Sequence, residues 1–223
     1  MTNARTAILA RLRSTPTGGD PRHTLPGDPM MADSDELLGQ FCAALAAVHG
    51  EVYPVSADWP ARIAAELSAA GLQRLWYGAA GPLATELHSG WPLTTQGATT
   101  VAELTPFDQT RESCREALFA GRNAGLTSAL AGIAETGSLI LWPTAAEPRS
   151  LSLIPEVHCV LLERRHIVPT LEHWMSGYCQ RTDRPQLPTN WLMVTGPSKS
   201  ADIEQTLTLG VHGPKRLLVF VRD

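Results

Sequence analysis

Apolar positions recur along this chain in two alternating rhythms. Leu37, Leu38, Phe41, Leu45 and Val48 stand three and four apart, the spacing of one helical face. Asp33, Ser34 and Asp35 ahead of them supply a start signal, and Gly50 behind them a stop. Residues 51–55 then predict a strand, 57–70 a helix carrying Ile63 and Leu67, and 72–77 a second strand, with Gly71 punctuating between them. Further on, 82–88 reads as a short helix, 91–95 and 99–105 as strands, and 108–119 as a helix whose solvated face carries Arg111, Glu112, Arg115 and Glu116. Residues 124–130, rich in Ala and Thr, fit neither rhythm. Strands follow at 139–142 and 157–162, separated by a loop over 143–149, and the unbroken apolar run of the second suits a central strand buried on both faces. Pro169 stands where the first turn of a helix tolerates it, and Leu171, Trp174, Met175 and Tyr178 line one face of that helix. A Pro-rich connection, 181–188, leads to the last apolar runs. Strands alternating with helices predict an α/β fold, a mostly parallel sheet flanked by helices with right-handed crossovers.

The densest stretch is 191–221, WLMVTGPSKSADIEQTLTLGVHGPKRLLVFV, which predicts a complete βαβ unit. Trp191 to Val194 reads as a buried parallel strand, and Gly196 and Pro197 end it. Ser198 and Ser200 offer caps for a helix whose first turn holds Asp202 and Glu204 and whose inward stripe is Ile203 and Leu207. Gly210 stops that helix, Gly213 and Pro214 turn the chain, and Leu217 to Val221 is the returning strand. In open α/β sheets ligands lie beyond the carboxyl ends of the strands, the place this reading gives to Thr195, Gly196, Ser198, Lys199 and Ser200. Lys199 followed by Ser200 is no P-loop, because the required glycines are replaced by Met193 and Ser198. A capped helix with a solvated lysine accounts for the same residues.

The 223 residues suit one large α/β domain, expected over 32–223, preceded at 1–31 by a short helix and a tether crowded with Pro, Gly and Asp. That N-terminal helix docks on its own domain or on a partner, or is a mobile extension. A formal charge of -4 with only paired basic residues argues against a nucleic-acid binder. No run approaches the length of a membrane span and no signal peptide is evident, so a cytoplasmic location is expected. Cys42, Cys114, Cys159 and Cys179 are far apart, which excludes a ferredoxin-type cluster and disfavours a thiolate metal site. With no GxGxxG and no haem signature either, the sequence calls for no cofactor of its own.

Glu135, at a turn with Thr136, Gly137 and Ser138, is a candidate base or nucleophile, or simply an acceptor for turn N–H groups. Ser138 lacks the GxSxG elbow of a serine hydrolase. Arg149 is placed to clamp a carboxylate bidentately or to lie in solvent. His158 and His212 could shuttle protons or be structural, and the spacing of His158, His166 and His173 forms no metal motif.

Two blocks carry a family resemblance: TGPSKSADIEQTLTLGVHGP at 195–214, and AETGSLIL at 134–141 with Arg149, Ser150 and the Pro155-Glu156-Val157-His158 strand entry. Together they resemble the lactate utilization protein C family, whose domain is the LUD domain, over most of the C-terminal hundred residues. The resemblance implies a fold like that of glucosamine-phosphate deaminases, ribose-5-phosphate isomerases and coenzyme A transferases. It also implies a non-redox accessory subunit of a system that oxidises L-lactate to pyruvate with two iron-sulfur partner proteins. A ligand implied by it, lactate or another small carboxylate or phosphate, would meet Thr136, Gly137, Ser138, Arg149, Thr195, Gly196, Ser198, Lys199, Asp202 and His212. The alternative is a self-sufficient small-molecule enzyme or sensor of the same fold.

Overall fold

The computed structural model describes residues 34–93, 101–107, 111–180, 190–201 and 207–223. The N-terminal helix and tether, the 181–188 connection, and Asp202, Ile203, Glu204 and Thr206 of the expected last helix lie outside the described residues. In chain order the elements are α1 (Ser34–Ala47), β1 (Glu51–Val55), α2 (Trp59–Ala69), β2 (Arg74–Gly78), α3 (Ala84–Gly90), β3 (Glu103–Phe107), α4 (Arg111–Phe119) and β4 (Asn123–Ser128). They continue with β5 (Ala131–Ile133), β6 (Ser138–Leu141), α5 (Ser150–Leu153), β7 (Val157–Glu163), a 3-10 turn (Arg164–His166), β8 (Ile167–Val168) and α6 (Leu171–Gln180). The last are β9 (Leu192–Val194), β10 (Lys199–Ala201), β11 (Leu207–Leu209) and β12 (Arg216–Arg222).

Six strands form an all-parallel sheet in the order β1-β12-β7-β4-β2-β3, so the expected α/β architecture is present. β7 and β12 are neighbouring interior strands buried along almost their whole length, which is why 157–162 reads as unbroken apolar sequence. On one face, α2 and α3 supply Trp59, Ile63, Leu67 and Leu87 against Cys159, Leu161, Leu218 and Phe220. The other face is covered by unlike pieces. Phe41 and Leu45 of α1, with Leu139 and Leu141 of β6, close over Val160, Leu162 and Val219. Farther along, Cys114 and Leu118 of α4 and Leu151 of α5 pack on Trp76. β6 belongs to a second, mixed sheet of order β8-β5-β6-β9, and Leu171 and Trp174 of α6 pack on the outer residues Ala131, Ile133 and Ile140 of that sheet.

Residues 124–130 are hard to read because small residues there serve close packing. A Cβ on Gly125 would stand 2.1 Å from the Leu151 carbonyl oxygen, so α5 lies directly on β4. The 191–221 stretch is not a βαβ unit. β9 pairs antiparallel with β6 in the second sheet, not parallel in the first, and Met193 is 47% exposed. Where the capped helix was expected, Lys199–Ala201 and Leu207–Leu209 pair antiparallel. The backbone explains this: the Ser198 N–H donates to Pro214 O (2.9 Å) and the Ser198 carbonyl accepts from Gly210 N–H (2.8 Å), so its main chain is committed to strand-like pairing. The Thr-Leu alternation of 206–209 carries a period of two as well as a helical stripe. The strand expected at 91–95 is also absent over its described part, where Trp91 is irregular and its indole N–H donates to Ala102 O (3.2 Å).

Two glycines fix the second layer. Gly137 (φ 66°) and Gly196 (φ 83°) both occupy the left-handed region; a Cβ would lie 2.4 Å from Leu45 N at the first and 2.5 Å from Val48 O at the second. Both turns therefore press against the end of α1. Gly137→Ala is expected to lower stability by about 1–3 kcal/mol from backbone strain, before any clash. Urea denaturation checks this, and a loss within experimental error would contradict it.

Candidate functional site

The two unlike covers of the second face leave a seam. Along it runs a cleft of about 210 Å³ between α5 and β9, with Ser152 and Leu153 on one wall, the 193–198 segment on the other, and His212 and Pro214 at one end. Its floor is His158 and Leu217, the second residues of β7 and β12. Leu153 also borders an adjoining hollow of about 320 Å³ lined by Arg149, Ser150 and Ile154. Among the described residues no Asp or Glu lines either space, whereas Arg149, Thr195, Ser198 and His212 do. That donor set suits an anion.

His158 is 1% exposed and its Nε2 lies 2.9 Å from Thr127 Oγ1. Burial pushes its imidazole down to about 3, so the floor of the cleft stays neutral at physiological pH. It is a satisfied structural histidine that also forms a cavity wall.

The expected site residues divide into groups. Thr195, Gly196, Ser198 and His212 line the cleft together, and Arg149 lines the hollow beside it. They lie against the amino ends of β7 and β12, not beyond carboxyl ends as the βαβ reading required. Thr136, Gly137 and Ser138 act from behind: Thr136 Oγ1 lies 2.7 Å from Ser138 Oγ, which lies 2.6 Å from Thr195 Oγ1. This hydroxyl chain ties the 136–138 turn to the wall of the cleft. Glu135 is exposed, lines neither space, and its N–H donates to Pro169 O (3.0 Å). Lys199 is exposed on β10, and Asp202 lies outside the described residues.

Two groups escaped the sequence reading. Ser152, 3% exposed with its hydroxyl donating to Arg149 O (2.9 Å), borders the cleft from a helix too short to show periodicity. Glu147, 8% exposed, stands where β2 and β4 end. It accepts from the Ser128 hydroxyl (2.6 Å) and N–H (3.2 Å), and a Cβ on Gly78 would lie 1.8 Å from Ala146 O beside it. The space at Glu147 is only about 10 Å³, room for about one water and no ligand. Burial raises its pKa, with the two Ser128 bonds opposing.

A family model for the LUD domain matches residues 38–221. The chain belongs to the LUD domain family. An uncharacterized protein from Neisseria meningitidis serogroup B is 32% identical over 185 residues, 82% of this chain and 76% of that protein. Lactate utilization protein C of Macrococcus caseolyticus is 34% identical over 102 residues, and that of Bacillus licheniformis 36% over 103. These two matches cover 45% of this chain and 44% and 43% of those relatives, under half of either length. Among solved structures, a DUF162 family protein from Deinococcus radiodurans superposes with a TM-score of 0.59 at 26% identity, covering 86% of this chain and 99% of that one. The resemblance to lactate utilization protein C read from 134–158 and 195–214 therefore holds, and so does the α/β architecture. Among the described residues, no helix is long and apolar enough to cross a membrane.

In this LUD domain the Glu147 carboxyl keeps its proton to higher pH folded than unfolded, so its contribution to stability is present at low pH and lost as pH rises through the folded value. Glu147→Gln removes that loss while keeping an acceptor for Ser128. The variant is expected to gain stability relative to the parent as pH rises from about 4 toward neutrality, past the usual carboxylate range. Paired urea titrations at several pH values check this, and a difference that is flat or grows the other way would contradict it.

Proposed function

We propose that this chain is the lactate utilization protein C-like subunit of an iron-sulfur system that oxidises L-lactate to pyruvate. Its part is recognition, while two iron-sulfur partner proteins move the electrons. The observation that carries the reading is the match to lactate utilization proteins C over 102 and 103 residues, taken with the two resembling blocks, whose Arg149, His158, Thr195, Ser198 and His212 line the cleft and its adjoining hollow. The sequence supports it too, since its four widely spaced cysteines cannot supply a ferredoxin-type cluster. On this reading Arg149 pairs with a carboxylate, Thr195, Ser198 and His212 offer further hydrogen-bonding groups, and the 136–138 turn holds Thr195 in place through Ser138.

The cleft also favours a second reading, a self-sufficient small-molecule enzyme or sensor, because several polar residues line one shared space. Glu135 would not be its catalytic group, since that side chain lines neither the cleft nor the hollow.

Reconstitution separates the two. The purified chain is expected to show no lactate-dependent dye reduction alone, and to restore it when added to two cysteine-rich partners recovered by co-purification from lactate-grown cells. Arg149→Ala should lower the restored rate by about tenfold or more, the cost of one charge-assisted pair. Full activity of the partners without this chain, or stoichiometric iron or flavin in the chain alone, would overturn the proposal.

A further inference from the structure

A second cavity lies away from the cleft, in the place where open α/β sheets put their ligands. It measures about 290 Å³ and is bordered by Leu130 and Ala131, two and three residues past the end of β4, and by Arg165 and His166, just past the end of β7. β4 and β7 are neighbours in the parallel sheet, so this is a crevice outside two adjacent carboxyl ends. Its far wall is α6, through His173, Trp174 and Tyr178.

The lining has a specific chemistry. Trp174 packs beside two other aromatic rings, tilted 43° to Trp191 at a centroid separation of 4.8 Å and 33° to Tyr178 at 5.3 Å. Such a cluster brings an aromatic surface to the cavity wall. Among the described residues the lining holds Arg165, His166 and His173 and no Asp or Glu. Of the acids on the neighbouring elements, Glu172 interacts electrostatically with His173. Glu163, the last residue of β7, is engaged by Arg222, and Glu172 of α6 is exposed and outside the lining. Thr170 Oγ1 lies 3.0 Å from His173 Nδ1, so that ring meets a ligand through Nε2 or its carbon edge. A guanidinium and ring nitrogens beside clustered aromatics select a ligand that is flat at one end and anionic at the other.

We propose that this cavity binds a small planar aromatic anion, its ring against Trp174 and Tyr178 and its acid group on Arg165 and the two histidines. A nucleoside monophosphate and an aromatic carboxylic acid both have that chemistry, and the volume is at the low end for ligand pockets. The site is independent of the Arg149 cleft, and so of the lactate proposal: none of its lining residues borders that cleft.

Calorimetric titration of the full chain, with tryptophan fluorescence in parallel, tests it using AMP, indole-3-carboxylate and inorganic phosphate as probes. Saturable binding of AMP or of the carboxylate is expected, with quenching, and phosphate alone binding at least tenfold more weakly. Saturation by AMP only identifies a phosphate-bearing base, and by the carboxylate only an aromatic acid; either supports the site. Arg165→Ala, at an exposed position that the fold does not need, should weaken the bound probe about tenfold. Trp174→Phe, which keeps a ring against Trp191 and Tyr178, should weaken it less and alter the quenching. Failure of both aromatic probes to saturate, equal binding of phosphate, or binding unchanged in both variants would overturn the proposal.

Discussion

Burial of β7 and β12 on both faces is the constraint from which the rest of this structure follows. A strand with no solvent face needs apolar cover above and below, and a single set of helices can supply only one side. Here α2 and α3 do so on one face with an ordinary helical layer. The opposite cover is a composite of α1, a second small sheet, and the short helices α4 and α5. A sheet and a helix have different surface periods and do not interdigitate as two helices do. Where β9 and α5 meet over His158 a cleft remains, and its walls are therefore made of turns and helix ends, which bring polar groups with them. The candidate site is thus a consequence of how the sheet is closed.

The seam stays open in a fixed shape because its walls are tethered from outside. Gly137 and Gly196 let the 136–138 turn and the end of β9 approach the last turn of α1, and the Ser138 to Thr195 bond joins those two segments. On the other wall, Gly125 lets α5 sit on β4 at backbone distance. Residues that resemble a ligand loop in sequence are thereby divided into those that face the cleft and those that hold it. Thr195, Ser198 and His212 face it; Gly137 and Ser138 hold it.

Much of the fold was legible because burial and period agreed. The continuous apolar run of β7 gave its central place, and the spacing of Leu37, Phe41 and Leu45 gave α1. β4 was not legible, since its Gly125 and Ala124 are chosen for close approach and carry no apolar signal. The 199–209 segment misled because Ser, Lys and Leu spacing fits a capped helix, while the deciding fact, the pairing of Ser198 with Pro214 and Gly210, is tertiary. The candidate site was half legible for the same reason. Arg149 and Thr195 stood out as loop polar residues, but nothing local distinguishes Glu147 from any surface glutamate or marks Ser152 as a cavity wall. Glu135, conspicuous beside a glycine, belongs to a turn whose work is to pack on α1.

Hydrogen-deuterium exchange on the chain, alone and within the proposed lactate-oxidising complex with lactate present, tests the central claim most directly. Recognition through the seam predicts added protection concentrated at 149–153, 193–198 and 212–214, the segments that line it. Protection confined to other surfaces, or none at these three segments, would contradict it.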